Sequence, residues 1–175
     1  MTKLLDSGEV DLNAIRDEVE EKRKLPYDSR SDTYQHIQVV QGLLFTVVTE
    51  VMRRQQAHDQ SKLVSPEVEV FNEFTPKLAQ STYGSEEYRG LLQEMKVGLD
   101  HHYGVNSHHP EHYPDGIRGM DLVDVVEMLC DWKAATMRHN NGDIRKSIEI
   151  NQKRFGYSDE LKQIFLNTLP LLESD

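Results

Sequence analysis

An all-α, single-domain helical bundle of six to seven helices is the fold that this 175-residue chain predicts. Between the turn signals, apolar residues recur almost throughout at i, i+3, i+4 and i+7, the spacing that lines one face of a helix. No segment alternates apolar and polar residues in the way a half-buried strand does. Start signals such as Ser65-Pro66-Glu67 and Ser85-Glu86-Glu87 punctuate the chain where successive helices should begin.

From Asp11, the residues Leu12, Ile15 and Val19 predict a short amphipathic helix that runs into the charged stretch Glu20 to Lys24 and ends before Pro26. Residues 1–31 therefore read as an N-terminal helical arm, and residues 32–175 as the main domain. Asp32 with Gln35 three residues later has the form of a capping box. It opens a helix of roughly 25 residues through Val39, Val40, Leu43, Leu44, Val47, Val48 and Val51, with His36 in its first turns.

Ser65-Pro66-Glu67 supplies an N-cap, a proline at the first helical position and an acid in the first turn, for a helix ending near Leu78. A single helix from Ser85 carries the stripe Tyr88, Leu91, Leu92, Met95 and Leu99 on to His102. Gly104 to Gly119, with Pro110 and Pro114, is the longest irregular stretch, and long loops inside compact domains tend to be functional. Asp121 opens a buried helix ending near Asn140-Asn141-Gly142. Two shorter helices follow, from Asp143 to Phe155, and from Ser158 as N-cap to a stop before Pro170.

The net charge of −10 argues against a duplex nucleic-acid partner, because neutralising phosphates needs a basic face. Residues 58–131 carry fourteen acids against five Lys or Arg, whereas residues 132–154 carry two against six. An acidic middle suits cations; the basic stretch reads either as an anion-facing surface or as a solvated helix face. No apolar run approaches the ~20 residues of a membrane span, and charges stand where a secretory leader would be apolar, so a cytoplasmic protein without a membrane partner is expected. Cys130 is the only cysteine and lies in an apolar segment, which predicts a buried, unreactive thiol.

Five of the eight histidines fall between His101 and His112, and upstream stands His58-Asp59-Gln60-Ser61-Lys62. Imidazoles and carboxylates without a cysteine set are donors for borderline divalent cations in a functional site. Neighbouring side chains diverge on a regular helix, so His58 and Asp59 can converge only because a helix ends there and the next begins at Ser65. His102, rather than His101, continues the apolar stripe, and His108 and His109 lie on a loop free to wrap an ion. Asp121, Asp124 and Asp131 share one helix side. Asp131 is the preferred ligand, because among Leu129, Cys130, Trp132 and Ala134 an unpaired carboxylate is costly, a salt bridge to Arg138 or Lys133 being the alternative. Asp124 reads as a partner to a ligand or a solvent-facing residue. His139 reads as a charge partner for a helix C-terminus.

The ordered set of His36, His58-Asp59 and Asp131, with His102, His108 and His109 between the last two, resembles the HD-domain superfamily of metal-dependent phosphohydrolases. His58-Asp59-Gln60-Ser61-Lys62 is similar to the His-Asp-x-Gly-Lys of the HD-GYP branch, and His108-His109-Pro110-Glu111 to its His-His-Glu. The Gly-Tyr-Pro triplet is absent, Tyr113-Pro114-Asp115-Gly116 standing in its region, so specificity for a cyclic dinucleotide is not implied. The resemblance covers roughly residues 33–136 and implies a bundle of the HD type. By the same resemblance, His36, His58, Asp59 and Asp131 hold one divalent ion, and His102, His108 and His109 a second, the metal being manganese, iron, zinc, cobalt or nickel.

The activity so implied is hydrolysis of a nucleotide or related phosphate ester at a mono- or dinuclear centre. Asp59 would orient the nucleophile and Lys62 would neutralise phosphoryl charge. Glu111, His112, Arg145 and Arg154 are candidates for contacting the substrate, the two arginines on charge alone. Two alternatives remain at this stage: a di-iron oxygenase on the same scaffold, and a helical metal-binding interaction protein without turnover.

Overall fold

The computed structural model describes residues 10–23, 27–81, 85–138 and 142–173. The protein is all-α: the described residues form eight α-helices and three short 3-10 turns, with no strand among them. Two compact units emerge, Met1–Phe45 and Thr46–Asp175, so the division falls inside a helix rather than at residue 31/32.

In the first unit, α1 (Leu12–Arg23) starts where Asp11 Oδ1 accepts from the backbone N–H groups of Asn13 and Ala14, at 3.1 and 3.0 Å. Its expected run-out through Lys24 to Pro26 lies outside the described residues. α2 (Arg30–Ala57) begins three residues earlier than Asp32 as an N-cap indicates. Asp28 takes the capping role, its Oδ1 accepting from Arg30 N at 3.0 Å, so Asp32 falls within the first turn.

The second unit continues from the end of α2 into a 3-10 turn at Gln60–Leu63, then α3 (Glu67–Gln80), α4 (Glu86–Glu94) and α5 (Lys96–Val105). The expected helix from Ser85 to His102 is two helices, which brings the count to eight. Ser85 does cap it, accepting from Tyr88 N at 3.0 Å. The break is at Met95, whose side chain is buried and whose ψ of −4° stays in the right-handed region but departs from the roughly −42° of a regular α-helix. α5 then crosses α3 closely: a Cβ added to Gly98 would lie 2.8 Å from Val70 Cγ1.

Two 3-10 turns, Pro110–His112 and Gly116–Gly119, occupy the stretch read as irregular. α6 (Leu122–Met137) opens on a capping box between Asp121 and Asp124. It stops before the Asn140-Asn141 signal, and those two residues, with His139, lie outside the described residues. α7 (Ile144–Phe155) is capped by Asp143, and α8 (Asp159–Glu173) runs through Pro170 rather than stopping before it. Proline so near the C-terminus removes only one hydrogen bond of the last turns.

α6, α7 and α8 pack pairwise around the main apolar core of Met128, Leu129, Ile144, Ile148, Tyr157, Phe165 and Leu169. The Tyr157 hydroxyl donates to the Ile148 carbonyl, so this buried ring brings no unsatisfied polar atom inside. Cys130 is exposed, not buried: α6 turns Met128 and Leu129 inward, and the next residue rotates away. Among the described residues, no helix is long and apolar enough to cross a membrane.

Candidate metal centre

The end of α2 builds the first half of the site. His58 N still donates to the Arg54 carbonyl at 2.8 Å, but at Asp59 the backbone enters the left-handed region, φ 55° and ψ 14°. Aspartate tolerates this conformation better than most side chains. Lys62 N closes the following turn on the Asp59 carbonyl at 2.9 Å. The reversal brings adjacent side chains together: His58 Nε2 lies 3.6 Å from Asp59 Oδ2, and Lys62 Nζ lies 2.6 Å from the same oxygen.

α5 and the loop after it supply the second half. His102, in the last turn of α5, is buried with Nε2 3.4 Å from Asp59 Oδ1. Asn106 ties down the departing chain, its Nδ2 donating to the His102 carbonyl at 2.8 Å and to Ser61 Oγ at 2.9 Å. The loop then turns inward and buries His108, whose Nε2 is 3.6 Å from Asp59 Oδ1. His109 Nε2 sits 2.9 Å from His102 Nε2.

Carboxylates on the outer side fix these rings. Glu67, fully buried, faces His101 Nδ1 at 2.7 Å, His102 Nδ1 at 2.8 Å and Ser61 Oγ at 2.9 Å. Glu127 Oε1 faces His58 Nδ1 at 2.9 Å and His108 Nδ1 at 3.1 Å. An ionised carboxylate only accepts, so each ring facing one donates from Nδ1, and His58, His102 and His108 turn Nε2 toward Asp59. Behind Glu127, Arg54 Nη1 contacts Glu127 Oε2 at 3.3 Å and Asp124 Oδ1 at 2.7 Å. Asp124 also accepts from Tyr113 Oη at 2.6 Å and Ser107 Oγ at 2.7 Å.

The electrostatics favour ionised Asp59 and Glu127 beside neutral His102 and His109. Burial pushes the Asp59 carboxyl up, but the hydrogen bond and charge of Lys62, then His58 and His102, outweigh it and hold it below its ordinary value. Burial likewise opposes ionisation of Glu127, and the hydrogen bonds from His108 and His58 overcome it, leaving that carboxyl well below the usual range. His109 is pushed down to about 2, by burial first and by its neighbours His108 and His102 second. His102 is lowered by burial and by Lys62, whereas the hydrogen bond to Glu127 raises His58.

Among the described residues, three groups of side chains offer ligand atoms within 4.8 Å of one another: His58, Asp59 and Asp131; Asp59, His102, His108 and His109; and His58, His108 and Glu127. Asp59 belongs to the first two, one oxygen toward each. Two buried atoms, Asp59 Oδ1 and His108 Nε2, have no hydrogen-bond partner, and both point into the second group. A lone pair on each is a donor set that fits a divalent cation of the zinc, iron or manganese type.

Of the residues expected from the sequence, six converge: His58, Asp59, His102, His108, His109 and Asp131. Asp131 is the aspartate in the first group, 3.8 Å from His58 Nε2, while Asp124 stays outside and anchors Arg54. The Asp131 side chain is 27% exposed, so its carboxylate is less desolvated than its apolar neighbours in sequence imply. His36 is exposed on the part of α2 that belongs to the first unit and joins none of the groups. It stands in the second turn of α2, whereas His58 follows the last residue of that helix.

The residues expected to meet substrate are otherwise engaged. Glu111 and Arg154 form an ion pair with each other, His112 Nδ1 lies 2.9 Å from the Tyr103 carbonyl, and Arg145 lies 3.6 Å from Glu173. Sequence reasoning passed over Glu67 and Glu127. Glu67 reads as an acid for the helix dipole, yet it is buried under two histidines. Glu127 had a legible signal: it lies three residues after Asp124 and four before Asp131, on the same face of α6.

The chain belongs to a family described as "Family of unknown function (DUF5662)", whose profile matches residues 26–171. No curated protein and no solved structure matches it.

Proposed function

We propose that this DUF5662 protein is a metal-dependent phosphohydrolase, acting on a nucleotide or related phosphate ester at a mono- or dinuclear His/Asp centre. The observation that carries the reading is the position of Asp59. Its two oxygens face two separate ligand groups, and the inner one is buried without a hydrogen-bond partner. A carboxylate placed in this way is suited to bridging two cations. The resemblance of the ordered histidines and aspartates to the HD-domain superfamily supports the same chemistry and a fold of that type.

Divalent ions held here would polarise a phosphoryl oxygen and bring a bound water to neutral-pH reactivity. Asp59 orients the attacking water through the oxygen it turns toward the ligand groups. Lys62, already 2.6 Å from Asp59 Oδ2, has the reach to place its ammonium against a phosphoryl oxygen of the substrate. Glu67 and Glu127 keep His102, His58 and His108 in the tautomer that presents Nε2, so the rings need not reorganise when a ligand arrives.

Metal analysis of protein purified without chelators, followed by a screen of phosphomonoesters and phosphodiesters with added manganese, tests the reading. The expected result is one or two transition-metal ions per chain and turnover of at least one ester class. Metal-free protein whose melting temperature is indifferent to manganese, iron, zinc, cobalt and nickel would overturn it. The four histidines in the ligand groups also suit iron. Coloured, iron-loaded protein that consumes oxygen and leaves phosphate esters intact would favour the oxygenase reading.

A further inference from the structure

Glu127 stands between the two prospective metal positions and belongs wholly to neither. His58 is in the ligand group with Asp59 and Asp131, and His108 is in the group with Asp59, His102 and His109. The two rings lie 4.7 Å apart between centroids. Both turn Nδ1 to the same oxygen, Glu127 Oε1, at 2.9 and 3.1 Å. On the opposite side both turn Nε2 to one other carboxylate: His58 to Asp59 Oδ2 and His108 to Asp59 Oδ1, each at 3.6 Å.

We infer that Glu127 is a single positioning residue for both metal positions, so that loss of its carboxylate weakens the binding of both ions at once. This deepens the metal reading above and rests on it. One carboxylate oxygen fixes the tautomer and tilt of one ring from each group, and a change at that oxygen reaches both. Glu67 is the contrast, since among the grouped ligands it faces only His102. Glu127 is itself held from behind: Arg54 Nη1 takes Oε2 at 3.3 Å and Asp124 Oδ1 at 2.7 Å, leaving Oε1 free to serve the rings. Asp124 is fixed in turn by Tyr113 Oη and by the backbone N–H of Asp121, at 2.6 and 3.0 Å. The orientation of Oε1 is therefore set by α2 and α6 together, independently of any ion.

The test uses full-length protein labelled with nitrogen-15, read by long-range proton–nitrogen NMR of the imidazoles at about pH 8, above the ordinary imidazole range. Calorimetric zinc titrations are run on the same samples. In wild type, the rings of His58 and His108 both carry the proton on Nδ1. In Glu127→Ala both lose that preference, and the affinities for both zinc ions fall by about 10–100-fold. Glu67→Ala alters His102 and leaves one zinc ion at wild-type affinity. Glu127→Gln, which keeps an acceptor oxygen, restores the Nδ1–H form of at least one ring and part of the affinity; it also serves if the alanine variant does not fold. A change confined to one ring, or a loss confined to one ion, would overturn the inference. Wild-type protein that takes up no zinc would instead remove the metal reading, an outcome the calorimetry reports separately from the tautomers.

Discussion

Asp59 Oδ1 and His108 Nε2 face each other 3.6 Å apart, both buried and neither with a hydrogen-bond partner. Buried polar atoms are nearly always satisfied, and a bound cation is what the proposed function supplies to these two orphans. The surrounding donors, His102 and His109, are also neutral nitrogen bases held within the same space.

Asp59→Ala is expected to abolish metal retention and to lower phosphate-ester hydrolysis on the order of 100-fold or more. It should lower the melting temperature of metal-free protein only slightly, because the alanine removes an unsatisfied buried oxygen but loses the Lys62 ion pair and tolerates φ 55° less well than aspartate. Elemental analysis and melting curves with and without manganese check it. A variant that still rises in melting temperature with metal would contradict the assignment.

His109→Ala separates one ion from two. If His102, His108 and His109 hold a second ion, the variant loses about one equivalent while the ion at His58, Asp59 and Asp131 persists. Turnover then falls more than the Michaelis constant rises, since the lost ion stabilises charge that develops in the transition state. Unchanged stoichiometry with a raised Michaelis constant would make these rings substrate contacts instead.

Gly98→Ala probes the crossing of α3 and α5 that carries Glu67 to His102. The added methyl would lie 2.8 Å from Val70 Cγ1 and 2.9 Å from Val70 Cβ, too near the backbone for a rotamer change to relieve. A loss of about 1–3 kcal/mol in denaturant unfolding is expected. Wild-type stability would mean that the two helices are not packed this closely.

Acid sensitivity should trace partly to Asp124. Burial raises its carboxyl, but Tyr113, Ser107, the Asp121 backbone and Arg54 together hold it below the ordinary 3.8. A carboxyl lowered by folding adds stability that is complete above its unfolded value and lost as pH falls through its folded one. Asp124→Asn should therefore lower stability at neutral pH and flatten the acid limb of the curve of stability against pH. An acid limb as steep as wild type would assign the effect elsewhere.

The helices were legible because their signals are local. Asp11, Ser85, Asp121 and Asp143 each cap the helix that they announce. The His-Asp pair was legible for a similar reason, since two adjacent ligands can converge only at a helix end. Where a signal depended on what packs against it, local reading failed. Met95 breaks a continuous stripe with its side chain buried, and α8 continues through Pro170.

The sequence by itself determined which residue types were available for a metal site and the order in which the chain presents them. Only the tertiary structure decided how they sort into groups. Asp131 joins His58 while Asp124 turns to Arg54, and Glu67 and Glu127 become the carboxylates behind the rings. The physical reason is one of range. Helix caps and apolar periods act over a few residues, but the partner of a buried imidazole is chosen by whichever carboxylate another helix brings to its Nδ1, across 35 residues for Glu67 and His102 and 69 for His58 and Glu127.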